Sequence, residues 1–276
     1  MKDKAVRAGK AIFLLLVFLF FSLPLLWLVV TPFSTRPGMA VSLPGVTAEN
    51  FSWAWESGSV LSNWMPFLNS IIISMGAMIL VVVTGSIGAY GLSRSRFRGK
   101  EALLYGLLLV SSIVTGVAAM VPIYTLVLRL GLVDTYTGVI LVFGGGYLPT
   151  AIFILKDFMD NVPRAYEEAA LVDGSNAFQV FKNVAFPISR PGIAVIAILA
   201  FINAWSNFLV PFILFTSDAT DMYPLSVAIF KFQDEMGILD IGTIASYSLA
   251  YAVPVIAVYF WISKKYGFGF FGGVKG

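Results

Sequence analysis

The sequence predicts an all-α polytopic membrane protein, with six transmembrane helices and a helix–turn–helix loop on the cytoplasmic side. Three observations carry that prediction. Hydrophobic residues fill 58% of the 276 positions and charged residues only 12%, against roughly 25% charged in a typical soluble domain. The apolar residues gather into six runs that contain no Asp, Glu, Lys or Arg. If all six cross a bilayer, fifteen of the eighteen basic residues share one side.

Each run has the roughly 20 apolar residues a spanning helix needs, because lipid cannot satisfy an exposed backbone. The first covers 11–30, between Lys10 and Arg36. Its apolar core is longer than that of a cleaved signal, and no small-x-small site follows, so it reads as a retained anchor. The second, 66–92, lies in the uncharged interval between Glu56 and Arg94, and the third, 102–128, between Glu101 and Arg129. The fourth, fifth and sixth cover 136–155, 192–215 and 242–262. No soluble domain and no repeat interrupts the chain, so residues 1–276 form one membrane domain.

Orientation follows from the basic residues. Lys2, Lys4, Arg7 and Lys10 precede the first run; Arg94, Arg96, Arg98 and Lys100 follow the second. Lys156, Arg164, Lys182 and Arg190 follow the fourth, and Lys264, Lys265 and Lys275 the sixth. Only Arg36, Arg129 and Lys231 fall on the other side. Both termini are therefore expected in the cytoplasm. The net charge of +3 is a topology signal, and nucleic-acid binding has no support.

Several chemistries are excluded by what is missing. There is no Cys and no His, which removes disulfides, thiol nucleophiles and imidazole ligands or bases. Secondary transporters and charged-filter channels place ionisable groups at membrane depth, and these runs have none. Gly267-Phe-Gly269-Phe-Phe-Gly272 spells GxGxxG but follows a membrane run and cannot open a βαβ unit. No Walker A sequence occurs, so ATP is expected on another chain.

Inside the runs, Gly85, Gly88, Ala89, Gly91, Gly144, Gly145 and Gly146 permit close helix approach. Pro24, Pro122, Pro149, Pro211 and Pro254 interrupt apolar stretches and suit helices that bend. The fifth run is the most polar. Asn203, Ser206 and Asn207 recur at i, i+3 and i+4, which predicts one helical face and a candidate substrate path. Interhelical packing is the competing use of such residues.

Between runs four and five, residues 163–187 read as helix, turn and helix. Pro163 opens the first helix, with Glu167 and Glu168 near its positive end. Asp173-Gly174 makes the turn. Ser175 is the expected N-cap of a second helix, which carries Phe178, Phe181 and Ala185 on one side and stops before Pro187. An apolar stripe beside acids, with room at Ala169 and Ala170, suits docking to a soluble partner.

Glu168-Ala169-Ala170, three residues, Gly174, nine residues, then Val184-x-Phe186-Pro187 resembles the EAA loop of ABC-importer permeases, with Val for Ile and Phe for Leu. Leu130-Gly-Leu-Val-Asp-Thr135 is similar to the LGLxDT stretch of the carbohydrate-uptake group, and Asn69-Ser70 also matches it. The terminal Gly272-Gly-Val-Lys-Gly276 resembles the tail of the second permease of maltose-type systems. Trp205-Ser206-Asn207-Phe208 departs from that group's Trp-Asn-Asp/Glu-Phe.

The resemblance implies a permease subunit in a prokaryotic inner membrane, serving a sugar or oligosaccharide. A polyol or glycerol-phosphate-type solute stays open as an alternative, and a secondary transporter as a more remote one. It implies a second permease as a heterodimer partner, two ATPase subunits that hold the ATP and Mg, and an extracytoplasmic solute-binding protein. No cofactor, metal or catalytic residue is expected on this chain. It further implies that Glu167, Glu168, Ala169, Ala170, Asp173, Gly174, Phe178, Phe181 and Pro187 contact or couple the ATPase.

Overall fold

A computed structural model of the chain describes residues 2–41, 45–54, 64–96, 98–114, 116–236 and 240–266. The GxGxxG stretch and the Gly272–Gly276 tail lie outside them. The described residues are helical with short connections, apart from one antiparallel bridge between Ser34 and Val46. The chain divides into two compact units, residues 1–64 with 229–256, and residues 65–228 with 257–276.

In the first unit, helix α1 (Lys2–Val30) presents apolar side chains such as Phe13, Leu16 and Phe20 outward along its length. Such a surface is stable against lipid and not against water. After α1 the backbone is held by Asn50, whose amide donates to the carbonyls of Pro32 and Ser34, each at 2.9 Å. Trp53 is buried against Tyr247, 4.2 Å between ring centroids, and its indole N–H donates to Ser246 Oγ at 2.9 Å.

In the second unit, α2 (Met65–Arg94) lies along α5 (Tyr136–Asp160) and α9 (Arg190–Ser206). The α2–α5 seam is tight at some of its glycines: a Cβ at Gly88 would meet Ile152 at 3.1 Å, and one at Gly144 would clash with Leu80. Val81, Ala89, Ala151, Leu155, Ile196 and Ala200 fill the core beside it. A second core gathers Ile73, Val139, Phe143, Ala204, Val210 and Leu214.

Among the described residues, four helices are each long and apolar enough to cross a membrane: Gly9–Phe33, Met65–Arg94, Tyr136–Asp160 and Ile241–Trp261; the bent pair Ala177–Ile188 and Arg190–Ser206 qualifies when taken together. The third and fifth expected spans are not single helices, and here the sequence reading is corrected. Residues 102–128 form α3 (Lys100–Val114) and α4 (Met120–Arg129), separated by an extended Gly116 (φ −80°, ψ 158°) and a tight turn at Val117–Ala119. Pro122 sits in the first turn of α4, where its missing N–H costs nothing.

Residues 192–215 form α9 and α10 (Leu209–Leu214), broken at Asn207 (φ −80°, ψ 127°). The cause is Pro211. In an unbroken helix the carbonyl of Asn207 would face Pro211 and find no donor. With the helix broken, that carbonyl accepts from Ser226 Oγ at 3.1 Å, and Asn207 Oδ1 accepts from the N–H of Val210 at 3.1 Å. Asn207 ends α9, and its side chain closes the first turn of α10 from just ahead of Phe208, the N-cap residue, which has no side-chain cap bond of its own.

Candidate functional site

The loop after α5 is built by three local devices. Helix α6 (Arg164–Val172) ends where Gly174 adopts φ +87°. Gly174 N–H then bonds Leu171 O at 3.1 Å and Ser175 N–H bonds Ala170 O at 3.0 Å. This is a Schellman closure, and it needs a left-handed residue at Gly174. The expected turn forms there.

The next helix is not capped by Ser175, as the sequence suggested, but by Asn176. Asn176 Oδ1 accepts from Gln179 N–H at 2.9 Å, and Gln179 Oε1 accepts from Asn176 N–H at 2.8 Å. The Schellman turn already engages the Ser175 backbone, so the cap moves one residue on. Helix α7 (Ala177–Val180) also does not stop before Pro187. It continues through a π-turn (Phe181–Ala185), in which Phe186 N–H reaches Phe181 O, into α8 (Phe186–Ile188). Widening to an i+5 bond carries the helix past a proline that lacks a donor. At Ser189 the chain bends by 80° into α9.

These devices sort the loop's residues by exposure. Glu168, Ala169, Asp173, Gly174 and Phe178 are exposed, and Phe178 keeps 64% of its surface. Ala170, Phe181 and Pro187 are half-buried. Phe181 packs on Tyr90 of α2, 5.1 Å between centroids, with Phe186 on its other side at 5.9 Å. Ala185 is fully buried, so the expected stripe splits into an outward Phe178 and an inward Phe181 and Ala185.

Glu167 behaves differently from its neighbour Glu168. It is buried, at 7% exposure, and its carboxylate takes a two-point grip from Arg94 at the end of α2. Arg94 Nε lies 2.8 Å from Oε2 and Nη2 lies 2.5 Å from Oε1. The two adjacent acids therefore serve different surfaces, one turned to the bundle and one outward.

In the fifth run, Asn203, Ser206 and Asn207 do not share one helical face. Asn207 has left the helix, and the exposed Ser206 hydroxyl donates to its own helix at Ile202 O, 2.7 Å away. Asn203 and Asn207 both line a small, partly open cavity of about 60 Å³, together with Met120, Phe143, Gly146, Tyr147 and Val210. That volume suits one or two waters, not a sugar ring.

Two clamps escaped the sequence reading. Asn69 donates to Asp221 O at 2.7 Å and Tyr223 O at 3.1 Å and accepts from Tyr136 OH at 2.7 Å, while Ser70 Oγ accepts from Leu225 N–H at 2.8 Å. Asp134, at φ +58°, accepts from Thr216 N–H at 2.6 Å and Thr216 Oγ1 at 2.8 Å. Both stretches were singled out by resemblance, yet no spacing announced partners about 80 or 150 residues away.

Residues 82–263 match the family described as binding-protein-dependent transport system inner membrane component. Two relatives are a diacetylchitobiose uptake system permease protein of Streptomyces coelicolor and a trehalose transport system permease protein of Mycobacterium tuberculosis. The first is 31% identical over 241 residues, covering 86% of this chain and 78% of that one. The second is 30% identical over 262 residues, covering 92% of each. Among solved structures, a bacterial ABC transporter involved in the import of the acidic polysaccharide alginate superposes with a TM-score of 0.80 at 20% identity, covering 96% of this chain and 98% of that one. With its helical membrane fold and its EAA-like loop, this chain belongs to the inner-membrane components of binding-protein-dependent transport systems.

Proposed function

We propose that the chain is a pore-forming permease of an ATP-driven importer of sugars or oligosaccharides, working beside a second permease, two cytoplasmic ATPase subunits and an extracytoplasmic binding protein. The observation that carries the reading is the loop 163–187. It offers exposed Glu168, Ala169 and Phe178 on one side and is tied into the bundle through Glu167 and Phe181 on the other. A surface of that kind passes force from a docked partner to the spans. The carbohydrate class is supported by the diacetylchitobiose, trehalose and alginate systems to which the chain is similar.

In this reading ATP and Mg stay on the partner, and this chain's residues do mechanical work only. Glu168 and Phe178 dock; Gly174 fixes the angle between the two loop helices; Asp173 and Pro187 bound the moving segment. Closure of the ATPases then shifts the population from an inward-open to an outward-open bundle. Asn203 and Asn207 line a water-sized part of the path. The basic N-terminus and the segment around Arg164 and Lys182 lie in the cytoplasm.

The test is reconstitution of the whole complex with its binding protein. Solute-stimulated ATP hydrolysis is measured across a panel of disaccharides, oligosaccharides, polyols and glycerol phosphate. Stimulation by a saccharide is expected. Stimulation by polyols or glycerol phosphate alone overturns the solute class, and failure to retain an ATPase overturns the permease role.

A further inference from the structure

Arg94 has so far served only as one of the basic residues that set orientation and as the partner of Glu167, yet its surroundings are unusually complete. Its Nε donates to both Glu167 oxygens, at 3.0 and 2.8 Å. Its Nη2 donates to Glu167 Oε1 and also to the carbonyls of Met159 at 3.1 Å and Val162 at 3.3 Å. Its Nη1 donates to Ser93 Oγ at 2.9 Å. Ser93 is in turn bonded to Asp160, whose other oxygen is 2.6 Å from Lys156 Nζ. The guanidinium lies 5.6 Å from the centre of the Tyr90 ring, and the Tyr90 hydroxyl is 3.4 Å from Glu167 Oε2.

Three elements therefore converge on one side chain. Arg94 is the last residue of α2, the two carbonyls belong to Met159 in the last turn of α5 and to Val162 in the link that follows it, and Glu167 lies in the first turn of α6. Tyr90 extends the junction to the π-turn through Phe181. The side chains of the pair are only 18% and 9% exposed, so solvent screens them weakly.

We infer that Arg94 is the positioning residue that makes α2, the end of α5 and the loop helix α6 move as one lever, so that loop displacement reaches the spans. The inference rests on the proposed permease role. A lysine cannot take this place, because its ammonium is a point charge without the planar fork that holds a carboxylate and two carbonyls together. A merely stabilising ion pair behaves differently: replacing both partners with apolar residues of similar volume commonly leaves stability intact.

The test uses the reconstituted complex and reads solute transported per ATP hydrolysed, with ATPase co-purification as the assembly control. Two variants are compared with wild type, Arg94→Lys and the double Arg94→Met/Glu167→Met. The first keeps the charge, and the second removes both charges and leaves none buried alone. In both we expect transport per ATP lowered about tenfold, within the usual range of coupling between sites, with ATPase co-purification and basal hydrolysis measured alongside to show that the complex has assembled. A wild-type ratio in either assembled variant overturns the inference and leaves the permease reading standing. Loss of the permease reading shows itself separately, as a wild-type chain that retains no ATPase.

Discussion

Gly174 holds φ +87°, and no heavy atom lies within 4 Å of where its Cβ would stand. Any cost of substitution there comes from the backbone alone, about 1–2 kcal/mol for an ordinary L-residue and less for Asn, which tolerates the left-handed region. Loop function should fall in the order Gly174, Gly174→Asn, Gly174→Ala, Gly174→Val, read as ATPase co-purified with the membrane domain. Equal recovery for all four would show that the Schellman turn does not set the docking angle. Glu168 is exposed while Glu167 is clamped, so the two acids separate by assay. Glu168→Lys should abolish solute-stimulated hydrolysis with the chain's thermal stability unchanged. Glu167→Gln should instead lower stability, because it strands a weakly screened guanidinium. The turn at Gly174 was legible from glycine's conformational freedom. The Glu167–Arg94 pairing was not, since 73 residues separate the partners and nothing local requires them to meet.

At the scale of elements, the break between α9 and α10 gives the Asn207 side chain a structural task. Asn207 Oδ1 accepts from Val210 N–H in the first turn of α10, a capping-type bond, and Asp supplies the same acceptor. Asn207→Asp should therefore keep wild-type stability and transport. Asn207→Leu should lose about 1 kcal/mol of helix capping and impair uptake, with ATPase retention unaffected. Uptake at the wild-type rate in Asn207→Leu would show that the α10 cap and the adjoining cavity have no part in transport. The clip at Asp134 is expected to be costlier to remove. Asp134→Ala forfeits two bonds to a charged acceptor and places alanine at φ +58°, for a loss of about 2 kcal/mol or more; a thermal melt in detergent measures it. Hydropathy drew 102–128 and 192–215 as continuous because it weighs transfer energy and takes no account of orphaned carbonyls. Pro211 held the clue, since its position four residues after Asn207 removes the bond an unbroken helix requires. The same rule misled at Pro187, where a widened turn satisfies the backbone in another way.

For the whole chain, the lopsided placement of Lys and Arg makes a prediction about sidedness. The protein has no native cysteine, so single-cysteine labelling has a clean background. Val172→Cys, at an 88% exposed position in the loop, should react in inverted vesicles and not in intact cells. Asp221→Cys, exposed between α10 and α11 (Leu225–Met236), should show the opposite pattern. Reaction of both from the same side would invalidate the even number of crossings. The fold class was legible from composition, because too little charge is present to cover a water-facing surface. The junction of α2, α5 and α6 was not, because Arg94 looked sufficiently explained as one of four cationic residues fixing orientation.

The π-turn at Phe181–Ala185 also bears on which length changes the loop tolerates. A widened turn is one residue inserted into an α-helical frame. Deleting a residue within 181–185 would restore ordinary i+4 bonding and rotate α7, with everything before it in the loop, by about 100° relative to α9. Phe178 would swing from its outward position, and Phe181 would leave Tyr90. The nine residues between Gly174 and Val184 are therefore a fixed measure, whatever their identities. Substitutions inside that interval should be absorbed far more often than insertions or deletions, and a library of single-codon deletions scored for growth on the transported solute would show a gap there.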